Sequence, residues 1–447
     1  MPDPAGATNY IEITADKTYV PEDLPGAGDT ILIPVVIDQA AAVNYEGGIQ
    51  TFIDELAADY SDLRVFNSDG SVEVQFGVYV LSQVAGSRQL ILGLGIPNTA
   101  PLSTSADTIY RLYRGCTGGP FENKALAANG LVDFWPCGEA SWNGTPGEVV
   151  SWTAGHSGQA VGGVTTVAGG PIYRAGSFDG NNDYVSIAAD AAAFSIPALG
   201  AATLTAWFKT TTLQIREIAG SGSATGDFFT ISWVRTTANP NPMRFNLSDR
   251  GFWNTSPTNV GSWNDGAWHR VDAVCWQNGA NRNALCYIDG VPGALGSAAG
   301  NTAVTLDKQW AIGGYFWDAA IAGLWPGSIA EVRYALAARS QNYITTQLNA
   351  EKYNGAFWTV GAEQTTGTTY YQECAETATV TDTLSLATTY ARTLSETITA
   401  TDTVSRTKLL ILAATLARQG LDAALIRDIL DAELARRVLD AQQEGNP

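Results

Sequence analysis

Between Phe178 and Ile187 the sequence reads FDGNNDYVSI, four oxygen-bearing side chains in five residues followed at once by an apolar, strand-like run. Asp179, Asn181, Asn182 and Asp183 could supply several of the roughly six to eight oxygens that calcium takes. The same Gly-Asn-Asn-Asp series is also what a tight turn requires, because Gly and Asn tolerate positive φ. Both readings stand. A second set of residues combines aromatic rings with amide or carboxylate groups: Trp253 and Asn254 in DRGFWNTS, Trp263, Asn264 and Asp265 in GSWNDGAW, and Phe316, Trp317 and Trp325 in GGYFWDAAIAGLWPG. Ring faces of this kind pack against the apolar side of a pyranose while Asn and Asp reach its hydroxyls. Any one of them could equally be a core or lid residue. Hydrolytic chemistry has less to draw on. The chain holds two histidines, His156 and His269, and His269 sits in the strand-like run DGAWHRVDAVC, where a packed structural imidazole is expected rather than a triad member. Glu217 and Glu331 stand alone, whereas a retaining glycosidase needs two carboxylates about 5 Å apart, as a strand provides at i and i+4. GSGSATG (220–226) lacks the Lys-Ser/Thr ending of a P-loop. No catalytic residue is assigned, and the expectation is that the protein is not an enzyme.

These residues lie in a chain of 447, long enough for several hydrophobic cores. Abundant Gly, Trp and Tyr with two methionines favour β-architecture rich in turns. The formal net charge of −19, with 25 basic residues and no dense basic run, excludes a duplex nucleic-acid partner. No apolar stretch approaches the ~18 residues of a membrane span, and MPDPAGATNYIEITADK lacks the basic and apolar regions of a signal peptide. Synthesis in a host cytoplasm without membrane insertion is the expectation. Five cysteines (Cys116, Cys137, Cys275, Cys286, Cys374) match neither zinc nor redox spacings, so most are expected to be free thiols; Cys275 and Cys286, on consecutive strand-like runs, could pair.

The alternation of TILIPVVID, LRVFNSDGSVEVQFGVYVLS, RQLILGLGI and TIYRLYRG predicts a β-sandwich over residues 1–114, with a short helix in IQTFIDELAAD and a turn at Ser68-Asp69-Gly70. YSDLRVFNSDGSVEVQFGVYV and TIYRLYRG resemble a small β-sandwich domain of uncharacterised function that precedes lectin-like domains in bacterial surface and phage proteins. Residues 115–128 read as a linker. Over 129–364, about half the chain, seven motifs follow in order: GLVDFWPCGE, GSFDGNNDYVSI, ATLTAWFKT, DGAWHRVDAVC, ALCYIDGV, WAIGGY and WPGSIAEVRYALAARSQNYI. This order resembles laminin-G-like domains of the concanavalin A-like lectin/glucanase jelly roll. Each motif alternates apolar residues between Gly, Asn or Asp, as strands of a two-sheet sandwich do. In AWHRVDAVCW, Trp268, Arg270, Asp272 and Val274 share one face, and His269, Val271, Ala273 and Cys275 share the other, which is expected to be the buried one. The glucanase pattern of Glu, apolar, Asp, two apolar, Glu is absent. Relatives carry Asp where this chain has Ala330, which removes one carboxylate from the neighbourhood of FDG; no cofactor is required, and calcium remains an option.

Beyond Gln364, ETATVTDTLS (376–385) and ETITATDTVS (396–405) form a Thr-rich repeat, read as weakly apolar strands or as an extended linker over 365–405. Residues 406–447 are helical by composition, about 406–418 and 421–442 around Gly420, and Leu425, Ile426, Ile429, Leu430, Leu434 and Val438 make an apolar stripe. That stripe is expected to dock on another subunit, giving a homo-oligomer. The whole resembles a surface protein of a tailed-phage virion, a tail or fibre adhesin or a head decoration protein, that attaches to host surface glycans and contacts other virion subunits through its tail. A ligand-free structural spacer, a bacterial cell-surface adhesin and a glycan hydrolase are the alternatives.

Overall fold

The computed structural model describes residue 4 and residues 7–24, 30–38, 52–53, 55–57, 61–82, 89–97, 99–117, 130–153, 155–187, 191–212, 216–223, 228–233, 243–247, 252–254, 263–300, 303–317 and 320–366. The Thr-rich repeats, the helical stripe from Leu425 to Val438, Cys374 and most of the 115–128 segment lie outside the described residues. Two compact units divide the chain, Met1–Thr368 and Thr369–Pro447, and everything described falls in the first.

The first sheet is antiparallel and built from β1 (Asn9–Ala15), β2 (Thr30–Asp38), β3 (Arg64–Asn67), β4 (Glu73–Ser82), β5 (Gln89–Pro97) and β6 (Thr108–Arg114), in the order β2-β5-β4-β3-β6-β1. Alternation in β1 buries Ile11, Ile13 and Ala15 while Glu12 and Thr14 stay partly exposed, the period of two the sequence shows. Ser68-Asp69-Gly70 makes the expected turn: Gly70 has φ +72° and the Asp69 carboxylate accepts the Ser71 amide at 2.8 Å.

The jelly roll uses β7 (Leu131–Trp135), β8 (Gly158–Val161), β9 (Thr165–Ala168), β10 (Arg174–Asp179), β11 (Tyr184–Ile187), β12 (Ala202–Lys209), β13 (Arg216–Gly222), β14 (Phe228–Trp233), β15 (Met243–Leu247), β16 (Phe252–Asn254), β17 (His269–Asn278), β18 (Asn281–Ile288), β19 (Val291–Pro292), β20 (Gly296–Ala299), β21 (Trp310–Ile312) and β24 (Pro326–Ala335), with a small hairpin of β22 (Tyr315–Trp317) and β23 (Ala320–Ala322). A nine-stranded sheet runs β19-β18-β17-β12-β24-β10-β9, with β20 on β18 and β7 on β24; a seven-stranded sheet runs β16-β15-β14-β13-β21-β11-β8. Between them lies one core in which Trp135, Phe194, Phe208, Phe229, Trp310, Trp325 and Tyr334 are buried. The protein is thus mainly β, as expected, with a two-sheet jelly-roll sandwich at its centre. Cys275 and Cys286 are free and buried: Cys275 stands opposite Ala284 and Cys286 opposite Ala273, so the two thiols are staggered and do not pair.

After β24 the chain forms helix α1 (Gln341–Lys352), begun by Ser340, whose side chain accepts the Tyr343 amide at 3.1 Å. A one-turn helix, Asn354–Phe357, leads into β25 (Trp358–Val360) and then β26 (Gln364–Thr365), and both strands pair with β1. Residues 358–364, grouped by sequence with the jelly roll, and Thr365, grouped with the Thr-rich segment, therefore complete the first sheet. Trp358 on the last strand of that sheet donates its indole N–H to the Pro34 carbonyl of β2, the first strand, at 2.9 Å. Opposite edges of the sheet are drawn together by this bond, which curls it over its core. The same core includes Tyr343, Ile344 and Ala350 of α1 and Val274 and Tyr287 of the nine-stranded sheet. Sandwich and jelly roll share it.

Helix α1 also corrects the expected face pattern of β17. Val271, Ala273 and Cys275 point into the jelly-roll core as predicted, yet Arg270 and Asp272 on the opposite face are fully buried too. Strand β12 is likewise buried on both faces from Ala202 to Phe208. A sheet covered on both sides loses the clean alternation of a half-exposed one.

Candidate functional site

FDGNND is an arch, since β10 pairs in the nine-stranded sheet and β11 in the seven-stranded one, and the loop between them carries the chain across the core. Its carboxylates serve that crossing. Asp179 Oδ1 accepts the Asn181 and Asn182 amides at 2.8 and 3.3 Å, Asp179 Oδ2 accepts the Asn181 side chain at 3.2 Å, and Asp183 Oδ2 accepts the Asp179 amide at 2.9 Å. Asn182 donates to the Gly162 carbonyl at 3.0 Å, tying the arch to the β8–β9 turn. The Asn181 amide and its companions hold Asp179 below the usual carboxylate range, while burial pushes Asp183 up. Gly180 has φ +77°, and a Cβ there would lie 2.8 Å from the Pro326 Cβ, so glycine is required twice over. Among the described residues no group of three or more His, Cys, Asp or Glu side chains could hold a metal ion. Both Asp179 oxygens and Asp183 Oδ2 accept hydrogen bonds from within the arch, which is the geometry of the turn reading.

The same end of the sandwich gathers other loops. Asp179 pairs with Pro326 at the start of β24, and Lys209 at the end of β12 pairs with Ser328. Thr210 beyond it accepts the Gly266 amide on its carbonyl at 3.1 Å and donates its hydroxyl to the Pro326 carbonyl at 2.6 Å. The segment Trp263–Trp268, the arch, the β8–β9 turn and the β21–β24 connection thus form one rim. Two sequence candidates turn out to be its foundations: Trp325 is 1% exposed and packs edge-on against Phe208, and Trp263 is 4% exposed and packs edge-on against His269, so neither offers a ring face to a ligand. Phe316 of the β22–β23 hairpin is half-buried and meets Tyr184 of β11 edge-on at 5.7 Å, a pairing the sequence did not single out. Asp265 is exposed and Asn264 half-buried. Asn254 lies opposite Arg244 and Trp253 opposite Phe245 on the outermost strand of the seven-stranded sheet; their side chains, and that of Trp317, lie outside the described residues.

His269 holds the rim loop to the sheet. Its Nδ1 is 2.8 Å from Asp289 Oδ2 and its Nε2 is 3.1 Å from Asp265 Oδ1, while Asp265 also accepts the Ala267 amide at 2.7 Å. Burial would lower the imidazole, but the two carboxylates outweigh it and hold His269 above its ordinary value; the Ala267 amide and the histidine hold Asp265 low. The other histidine, His156, places Nδ1 2.8 Å from the fully buried Asp133, which also accepts the Ser151 and Thr153 hydroxyls. Ser151 is bonded to the aspartate and not to the imidazole, so the three do not form a nucleophile–base pair. Glu217 lies on β13 of one sheet and Glu331 on β24 of the other, across the core, and they are not a paired set of carboxylates.

Residues 179–345 match the family model of the concanavalin A-like lectin/glucanase superfamily, a span that runs from the arch to the first turns of α1. The jelly-roll part of the chain is a concanavalin A-like domain. Among solved structures the chain is similar to domain 4 of an extracellular arabinanase from Geobacillus stearothermophilus in complex with arabinotriose, at 18% identity over 42% of this chain and 81% of that one with a TM-score of 0.30. It is also similar to a heptameric pentraxin from Limulus polyphemus (14% identity, 38% and 78% coverage, TM-score 0.31) and to the carbohydrate-binding module of a Ruminococcus gnavus sialidase bound to α2,3-sialyllactose (17%, 33% and 82%, TM-score 0.27). No curated protein matches the chain.

Proposed function

We propose that the protein is a display protein whose concanavalin A-like domain binds a surface glycan at the rim. The observation that supports this is the convergence of exposed Asp179, Asn181, Asn182 and Asp265 with the Tyr184–Phe316 aromatic pair at one end of the sandwich. Side-chain amides and carboxylates address sugar hydroxyls, and a ring edge flanking them supplies apolar contact. Calcium is not part of the reading, because the arch carboxylates already serve backbone amides. The test is a glycan array probed with the intact chain, with and without calcium, followed by Phe316→Ala on any hit. Selective binding that survives chelation and weakens in the variant is expected; a blank array with calcium present would favour the spacer reading.

At the scale of the chain, the reading is a surface component of a tailed-phage virion, assembled through the C-terminal tail. It draws on the acidic charge of −19, a rigidly packed β-rich display unit, and the sequence pattern of Thr-rich repeat and apolar helical stripe. Solution mass of the full chain against a chain ended at Thr368 tests the assembly part. An oligomer for the first and a monomer for the second are expected, and equal states would remove the tail as the self-association element.

A further inference from the structure

Beneath α1, on the outer face of the nine-stranded sheet, lies a cluster of ionisable groups shut off from solvent. Arg270 on β17 reaches Asp272 at 2.7 Å, Glu351 of α1 at 3.0 Å and Gln347 of α1 at 2.7 Å. Arg333 on β24 reaches Glu351 at 2.5 Å and Glu331 at 2.8 Å, and its guanidinium lies 4.1 Å from the centre of the Phe134 ring. Trp207 of β12 donates to Glu351 at 2.6 Å and Thr205 to Asp272 at 2.6 Å. Among the described residues, Tyr343 of α1, Tyr287 of β18 and Cys137 beyond β7 also face the cluster, and burial pushes the Tyr287 hydroxyl and the Cys137 thiol up, away from ionisation.

Charge does not balance here. Three carboxylates (Asp272, Glu331, Glu351) face two guanidinium groups (Arg270, Arg333), and the side chains are at most 5% exposed. A fully ionised cluster would bury one uncompensated negative charge, which is far costlier than binding a proton. Asp272 Oδ2 takes part in no hydrogen bond. Glu331 is carried into the cluster by a bulge: β24 slips register against β12 between the Thr205 and Trp207 pairings, and Glu331 has φ +54°, a conformation strained for a non-glycine residue. Glu331 and Arg333, two residues apart on β24, meet on one face.

We propose that this cluster is a proton-loaded latch: docking of α1 on the jelly-roll face traps one proton among the three carboxylates, so the docked state weakens as that proton is withdrawn. Because α1 shares its other side with the first sheet, through Tyr343, Ile344 and Ala350 and through the Asn349 side chain on the Tyr19 carbonyl at 2.8 Å, the latch bears on the union of the two modules. Burial raises Glu331 from its ordinary 4.5 to about 8, in the direction the charge count requires. A carboxyl raised on folding leaves the folded state with more bound protons, so stability falls as pH rises through that window and levels off above it.

The experiment is chemical denaturation of the full chain at a series of pH values, wild type against Glu331→Gln, which keeps shape and a hydrogen-bond donor but cannot lose a proton. His269 contributes a loss of the same sign in both, so the difference between the curves is the readout. Wild type is expected to lose up to about tenfold in folding equilibrium constant per pH unit more than the variant between its ordinary 4.5 and about 8, the effect of one proton. Equal slopes would overturn the latch. Isotope-edited infrared spectroscopy of the wild type at neutral pH decides the matter even if the variant fails to fold: a protonated carboxyl band is expected, and its absence overturns the proposal.

Discussion

At the scale of single residues, Asp179 and Gly180 show how far a motif can be read from its letters. The turn reading of GNND was legible, because Gly and Asn are the residues that accept positive φ. What the letters could not carry was the destination of the chain after the turn, since a hairpin and an inter-sheet arch begin alike. Gly180→Ala is expected to cost about 1–3 kcal/mol in denaturant unfolding, from φ strain and the 2.8 Å approach to Pro326; a neutral result would mean the arch is not held as described. His269 gives a pH prediction whose sign follows from its raised imidazole. Its stabilising contacts with Asp289 and Asp265 are complete below its ordinary 6.5 and fade as pH rises through the raised folded value. In His269→Gln this part of the alkaline loss should vanish, as read by NMR titration of the imidazole in the wild type and by melting at two pH values in both. For Trp263 and Trp325 the structure selects the core alternative over the exposed ring face. Their setting among Gly, Asn and Asp resembled surface loops, while their rings are packed by Phe208, more than a hundred residues from Trp325, and by His269 on the strand that follows Trp263.

At the scale of elements, α1 does most to reshape expectation. Its start is set by Ser340, which the sequence reading left inside the last jelly-roll motif, and Ser340→Ala should destabilise by ~1 kcal/mol, the usual worth of an N-cap, measured by urea midpoint. Its role was not readable, because a helix that buries Gln347 and Glu351 looks polar on that side. Only against Arg270, Arg333 and Trp207 does that face make sense. Glu351→Ala removes the carboxylate to which Arg270, Arg333 and Trp207 all donate; Asp272 and Glu331 still balance the two guanidinium charges, so the cost is that of buried donors left unmet, about 1–3 kcal/mol each, well beyond the loss of an exposed ion pair. A cost near 1 kcal/mol would show the cluster to be hydrated and open. The alternation of β17 was read correctly, but it marks two different interiors, one apolar and one ionic, in place of an inside and an outside.

At the scale of the molecule, the first sheet is finished by strands from more than 340 positions later, Ile13 with Val360 and Asn9 with Thr365. Such closure couples distant parts of the chain, and with the core shared through α1 it predicts one cooperative unfolding transition for residues 1–368 in place of two. Trp358→Ala, which removes a buried indole and its bond to Pro34, is expected to lower that transition by about 3–5 kcal/mol for both modules together. Separate transitions by tryptophan fluorescence and by far-ultraviolet dichroism would contradict this. The same closure makes a cut at residue 128 a poor way to isolate the first module, since it leaves β1 without β25 and β26.

The sequence by itself determined the β class, the order of the jelly-roll motifs and the chemistry available at the rim, because strand periodicity and turn residues are local properties of the chain. Tertiary structure decided which aromatics remained at the rim and which were buried, where the oxygens of FDGNND were spent, and how Arg270, Asp272, Glu331, Arg333 and Glu351 met beneath one helix. These outcomes depend on which surfaces are brought together, and burial of a polar group is a property of its neighbours in space.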